Sequence, residues 1–369
     1  MPSLPTELYT EILQLALPSS SSSRFDSSTY QERVSFLSNF SLACRAFQQV
    51  ADPFLYATFW ARNKRQFDAF VEAVESKGNS HLVRQLVIDG SKGGIPSNRV
   101  PKAAKLLTEV QKLSLFDLEL SNLKLLNGYR KLESLTLEGI RHRVTDVFTL
   151  PSLQELTVGH KCSIDLSLVT DKRAPQLTSL ALRGRTDLYG WEPTLSSHTP
   201  WNLDAFVLDW YSRYEWHTTP NQSFPNVLFN LFLDDLIGRP RRGIVANGFQ
   251  HFQHFRFFSH EVNTLEAELL IRLIRDKSSA THQLETLILP LHWNPDFHSD
   301  REVREKSKTL SDECVAAGVD LIYEEESDGK FNSNVSQAFV EKMQRLARVR
   351  QQAEAAQSEE EEEATTQGQ

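Results

Sequence analysis

Apolar residues along the chain fall again and again into one short pattern, occupying the first, fourth and sixth positions of a six-residue word. The pattern reads Val83-Leu86-Ile88, Val110-Leu113-Leu115, Leu132-Leu135-Leu137, Leu153-Leu156-Val158 and Leu177-Leu180-Leu182, then Leu203-Phe206-Leu208, Phe252-Phe255-Phe257 and Leu284-Leu287-Leu289. The eight copies are separated by 27, 22, 21, 24, 26, 49 and 32 residues. The shorter spacings suit a unit made of one strand and one return segment, and the last two imply insertions. The fourth and sixth positions alternate with one exposed residue, the period of a strand with one buried face. One five-residue strand buries too little apolar area to offset its ordering entropy, so the copies are expected to stack.

Helical periodicity takes over elsewhere. It predicts return helices over Val227 to Ile237, Leu265 to Ile274 and Val303 to Ala317, with a last strand, Val319 to Tyr323, closing the sheet. Val335 to Val349 is also helical in pattern, whereas Gln351 to Gln369 holds no apolar residue larger than Ala and is expected to be disordered. At the other end, Leu8 to Leu17 predicts a short helix whose polar residues Thr10, Glu11 and Gln14 fall within one arc of about 100°. The rest of its surface is apolar, more than one neighbour can cover, which points to an interface. A Ser-rich insertion, 19–28, follows. Phe36, Phe40, Ala43, Cys44, Phe47, Val50 and Ala51 then predict a second amphipathic helix, ended by Asp52-Pro53.

Copies such as LESLTLEGI and LPSLQELTV resemble leucine-rich repeats, a family whose form is a curved parallel sheet lining a horseshoe. The Asn that commonly follows the strand in that family is absent; Asp89, Glu138 with Gly139, Gly159 and Gly184 occupy the region, which predicts irregular turns. The Leu4-Pro5 opening, the Leu8/Ile12/Leu13 helix and the segment Ser41-Leu42-Ala43-Cys44-Arg45-Ala46-Phe47 resemble an F-box of fungal type, with Phe47 standing where Trp is commonest. The fold class expected is therefore α/β: an all-helical F-box-like module over 1–60, an irregular leucine-rich-repeat-like solenoid with a curved parallel sheet over 61–330, a helix over 331–350 and an acidic tail over 351–369. The F-box resemblance implies that Leu4, Pro5, Leu8, Ile12 and Leu13 meet a Skp-type adaptor, with Leu42, Cys44 and Phe47 packing the module or edging that contact. Through the adaptor such proteins reach a cullin and deliver a substrate for ubiquitin transfer.

Composition is that of a folded chain, 40 % apolar and 24 % charged. Of the net charge of -8, five negative charges lie in Glu359 to Glu363, so the body carries no excess that would suggest nucleic-acid binding. Cys44, Cys162 and Cys314 are few and scattered, and the N-terminus lacks the basic start of a signal peptide, which predicts a reduced cytoplasmic or nuclear compartment. The apolar stretches are too short for a membrane helix.

Catalytic chemistry finds no foothold. Gly90-Ser91-Lys92-Gly93-Gly94 lacks the Lys-Ser/Thr ending of a phosphate-binding loop and reads as a loop. Cys44, on an apolar helical face, reads as a small hydrophobe with no base beside it. His251, His254 and His260 match no zinc spacing, and neither metal nor cofactor is expected. Arg239-Pro240-Arg241-Arg242 reads as a solvated loop. Residues 189–216 hold Tyr189, Trp191, Trp201, Trp210, Tyr211, Tyr214 and Trp216, either part of a recognition surface or a plug within an irregular large repeat. Positions flanking the inward apolar residues fall on the sheet's concave side: Asp89, Phe116, Glu138, Arg183, Asp209, Arg256 and Phe258, with Trp210 beside them. Their mixed charge suits a protein ligand. The function expected is a substrate receptor that brings an unidentified protein to a ubiquitin ligase, itself no enzyme. The rival is a ligase-independent scaffold whose N-terminal helices only cap the solenoid, which requires Leu8 and Ile12 to be buried within the chain.

Overall fold

The computed structural model describes residues 6–17, 27–91, 95, 99–120, 123–140, 149–159, 162–165, 174–183, 187–189, 202–210, 251–259, 264–276 and 284–324. The expected helices 227–237 and 335–349, the tail 351–369, Leu4, Pro5 and Arg239 to Arg242 lie outside these residues. Among the described residues, no helix is long and apolar enough to cross a membrane.

The architecture is mixed α/β. Three helices open the chain, α1 (Thr6–Ala16), α2 (Ser27–Ala43) and α3 (Arg45–Ala57), and a parallel sheet follows. Its ten strands are β1 (Thr58–Ala61), β2 (Gln85–Asp89), β3 (Lys112–Phe116), β4 (Ser134–Glu138), β5 (Glu155–Val158), β7 (Ser179–Arg183), β9 (Asn202–Trp210), β10 (His251–Ser259), β11 (Thr286–Pro290) and β12 (Asp320–Glu324). Each is hydrogen-bonded to the strand before it in this order, and every pairing is parallel. Two short strands, β6 (Ser163–Asp165) and β8 (Asp187–Tyr189), pair in parallel as a separate sheet that the hydrophobic pattern does not announce.

The register repeats the spacing of the apolar word. Lys112 stands opposite Ser134, 22 residues on, and Ser134 opposite Glu155, 21 residues on. The fourth and sixth positions, Leu86 and Ile88, Leu113 and Leu115, Leu135 and Leu137, all lie in one continuous core, and so do the first positions Val83, Val110, Leu132 and Leu153. The structure adds a copy that sequence reading passes over. Tyr56, Phe59 and Ala61 fill the same three positions, all join the core, and Thr58 pairs with Gln85 at the 27-residue spacing of the next unit.

Return segments close each unit. α4 (Lys64–Lys77) starts on Asn63, whose side chain accepts the Gln66 N–H, and ends on Gly78 at φ 70°, a left-handed residue suited to glycine. It buries Phe67, Val71 and Val74, one helical face. α5 (Arg99–Leu106) serves β2 to β3, whereas a 3₁₀ turn, Leu123–Gly128, suffices between β3 and β4. The expected helices 265–274 and 303–317 are α6 (Thr264–Asp276) and α7 (Arg301–Ala316), the latter capped by the Asp300 carboxylate on the N–H groups of Glu302 and Val303. The closing strand is shifted by one residue, to Asp320–Glu324.

Two expectations about the helical module are corrected. The single helix over 36–51 is two, α2 and α3, broken at Cys44, whose extended backbone (φ -165°, ψ 168°) makes it the N-cap residue of α3. The apolar periodicity runs through the break because both helices bury the same side against one small core, Leu13, Leu17, Leu37, Val50 and Ala51. Asp52-Pro53 does not end the run either: Pro53 lies inside α3, which continues to Ala57, and the exposed side of the helix leaves the freed carbonyl to water. Ser27 and Ser28, assigned to the Ser-rich insertion, open α2.

Candidate functional site

α1 divides its apolar residues between two sides. Leu13 is fully buried, Leu17 is buried, and Tyr9 packs against the same small core. Leu8, Ile12 and Leu15, spaced i, i+4 and i+7, form a second stripe that the protein leaves open, at 41 %, 51 % and 88 % exposure. Leu13, expected at a partner contact, instead builds the module's interior. Leu15, which sequence reading passes over although it lies one turn beyond Ile12, is the most exposed member of the stripe.

The corner between α2 and α3 adds a second open position. Phe47 stacks on Phe40 at 4.4 Å between ring centroids and meets Tyr9 edge-on at 5.0 Å, so its ring joins all three helices. Phe47 is thus a packing residue, as the resemblance allows. Leu42 stands at this corner with 82 % exposure, and Cys44 beside it is exposed, not on a buried apolar face as its helical spacing suggests. Its place at the cap turns it outward. Leu8, Ile12, Leu15 and Leu42 are four of only six large hydrophobic side chains exposed among the described residues, and the four sit in the helical module. A surface that concentrates such residues marks a contact more than scattered ones would.

The face of the sheet turned away from the core presents three rows, and the middle position, expected to be exposed, is buried at Val87, Thr136, Thr157, Ala181 and Ile288. Leu86 and Ile88 enter the core, so alternation sends Gln85, Val87 and Asp89 to the other side. The register then aligns Asp89, Phe116 and Glu138 in one row, with Arg183, Asp209 and Phe258 in its continuation. Arg256 belongs to the adjacent middle row with Val87, Ser114, Thr136, Thr157, Ala181 and Val207. Trp210 takes the position after Asp209, opposite Ser259, a position that alternation gives to the other face of the sheet and not beside these residues as expected. The side chains of Arg183, Asp209, Trp210 and Phe258 lie outside the described part of the chain.

Asp89 and Arg256 on this face have intramolecular work. The Asp89 carboxylate accepts from the N–H and hydroxyl of Ser91, at 2.9 and 2.6 Å, fixing the turn that leaves β2. The Arg256 guanidinium reaches across β11 to the Glu324 carboxylate of β12 at 3.1 Å, over Ile288, whose side chain is buried. This pair ties three strands together. Phe116 and Glu138, both half-buried, stand beside Asp89 in the row.

The strand exits explain the missing Asn. Gly90, Asp117, Gly139 and Gly159 stack at equivalent positions after β2, β3, β4 and β5, with Gly90 N–H donating to the Phe116 carbonyl at 2.8 Å and Asp117 N–H to that of Glu138 at 2.8 Å. A Cβ on Gly90 would overlap the Asp117 carbonyl oxygen, and one on Gly139 the Asp117 carboxylate. A neighbouring backbone leaves no room for a side chain at Gly90, and the Asp117 side chain takes that room at Gly139. Near this corner the Cys162 thiol, buried, donates to the Leu137 carbonyl at 3.2 Å, and burial pushes its pKa up to about 12. It is a structural thiol, not a nucleophile.

Of the histidines singled out by spacing, His251 and His254 lie on β10 and His260 lies outside the described residues. Among the described residues no group of three His, Cys, Asp or Glu side chains is placed to hold a metal ion. Asp68, Glu109 and Glu313 carry surface ion pairs with Lys64, Lys131 and Arg275, at 3.0, 2.7 and 2.8 Å, that bind neighbouring units to one another or brace a single helix. No model of a known protein family matches the sequence, and no curated protein matches it.

Proposed function

We propose that this chain is a receptor subunit that docks a Skp-type adaptor through the helical module and holds a protein substrate on the rim of the sheet face turned away from the core, as an F-box protein with a leucine-rich-repeat-like domain does. One observation carries the reading: the apolar stripe Leu8, Ile12 and Leu15, open to water on a helix whose opposite side is already packed. Leaving those side chains exposed gains the fold nothing, while a partner helix laid along the stripe would bury them at i, i+4 and i+7. A parallel sheet whose strands follow one another in chain order supports the repeat-like half of the reading. Catalysis in this account belongs to other subunits, and the receptor acts by raising local concentration.

The rival, a scaffold with an N-terminal cap, has an observation of its own, since α2 and α3 do abut the first strand. It also requires Leu8 and Ile12 to be buried within the chain, and both are exposed. The two roles use different faces of the module. The test is a pull-down of the full chain on a purified Skp-type adaptor beside the Leu8→Asp/Ile12→Asp double variant, with circular dichroism as the folding control. Binding lost in the variant supports the proposal; no binding by the wild type removes the ligase reading and leaves the scaffold.

A further inference from the structure

The helical module meets the sheet at the edge that would otherwise be free. α3 ends at Ala57 and β1 begins at Thr58, so no linker separates the two. The Arg84 N–H donates to the Ala57 carbonyl at 2.9 Å, fastening the junction to the residue before β2. From α2, the Tyr30 ring lies 6.2 Å from that of Trp60 on β1, and the Tyr30 phenol oxygen accepts the Trp60 backbone N–H. β1 pairs with β2 on one side alone, so this N–H belongs to the open edge, where an unpaired strand invites unwanted pairing. The Arg62 guanidinium sits 5.8 Å from the centre of the Trp60 ring. α3 serves both cores: Val50, Ala51, Phe54 and Leu55 pack with the module, and Tyr56, which holds the Lys77 ammonium of α4 at 5.7 Å, packs with the sheet.

We infer that the module and the sheet are one rigid, cooperative unit, clasped by Tyr30 on Trp60, which holds the Leu8/Ile12/Leu15 stripe in a fixed direction relative to the sheet face turned away from the core. The inference does not depend on what the stripe binds. A module on a loose tether samples many separations, and the effective concentration of anything it carries is then set by linker length. Here the separation is set by packing, so a partner on α1 and a ligand on the sheet are presented to each other at one geometry.

Two measurements on the full chain test this. In scanning calorimetry, Leu37→Ala in the small core and Leu113→Ala in the large one should lower the same endotherm, because unfolding either part unfolds both. A separate, earlier endotherm that only Leu37→Ala moves would overturn the inference. Nitroxides placed at Glu11 and Lys131 in a Cys44→Ser background should give a narrow distance distribution that Tyr30→Ala broadens. A broad distribution in the parent, or one that Tyr30→Ala leaves unchanged, would dismiss the clasp whatever the pull-down on the adaptor reports.

Discussion

Ile12 and Leu13 are adjacent on α1, equally apolar, and opposite in consequence, so substituting each by Asp separates docking from folding. Fully burying a Leu or Ile side chain is worth roughly 1.5–3 kcal/mol. Ile12 is 51 % exposed, so a partner that completes its burial gains about 1 kcal/mol there. Leu15, 88 % exposed, offers about 2 kcal/mol. Losing both to Ala should weaken binding by about 3 kcal/mol, on the order of a hundredfold in Kd. Asp at either position should cost more, because its carboxylate would be desolvated against an apolar partner. The unbound protein should hardly notice, since substitutions at open positions usually stay within about 0.5 kcal/mol.

Leu13 is the opposite case, fully buried among Leu17, Leu37, Val50 and Ala51. Leu13→Ala should destabilise by roughly 2–5 kcal/mol, and Leu13→Asp, with an unpaired buried charge, should unfold the module and the sheet with it. The assay is titration calorimetry against the adaptor beside urea denaturation of each variant alone. Should Ile12→Asp and Leu15→Asp bind like the wild type, the stripe is not the docking surface. Should Leu13→Asp fold normally, the assignment of the two sides of α1 is mistaken.

Three further outcomes follow from the geometry. Gly139→Ala should be much more damaging than Gly318→Ala in denaturant melts: both have φ near +65°, a strain of about 1–2 kcal/mol for Ala, but only at Gly139 does the new Cβ meet Asp117. Equal losses would show that the strand exits have room to relax. Mass spectrometry after brief alkylation of the native protein should find Cys44 modified and Cys162 protected, since the first is exposed and the second is buried with its pKa raised to about 12; rapid labelling of Cys162 would contradict that burial. His298 titrates below the ordinary imidazole range because burial disfavours its charge, with His292 and Arg304 pushing the same way. The unfolded chain therefore takes up this proton at about pH 6.5 and the folded one only lower, so stability should fall as pH drops through that range, and His298→Gln should flatten the slope.

Much of the sheet was legible because its units obey one rule. The apolar word fixes both the strand and its inward residues, and its spacing reappears as the pairing register, down to the 49-residue spacing between Ala205 and His254. β1 escaped notice because Tyr56, Phe59 and Ala61 replace the expected Leu residues and because they follow a helix without a break. β6 and β8, three residues each, carry too few positions for any period to show. The sides of α1 were not legible for a different reason. A helix that is apolar nearly all round does not say which residues its neighbours will take, and only the placement of α3, through Phe47 on Tyr9, decides that Leu13 turns inward and Leu15 out. The break at Cys44 was hidden in the same way, since two helices packed on one core keep a common apolar rhythm.

Closing the sheet and exposing the stripe are separate demands on the module, and the structure meets them with separate helices. The contacts that reach β1 and the sheet core come from α2 and α3, through Tyr30 and Tyr56. α1 needs only Tyr9, Leu13 and Leu17 to hold its place on the small core. Thr10, Glu11 and Gln14 show that polar residues are tolerated on its remaining surface, so an α1 serving only as packing would carry them at positions 8, 12 and 15 as well. Capping of the sheet gives Leu8, Ile12 and Leu15 no role, whereas the proposed docking does. Their place on the outer side suits the docking proposed for it, and a change at Leu15, which belongs to neither core, is the sharpest probe of that proposal.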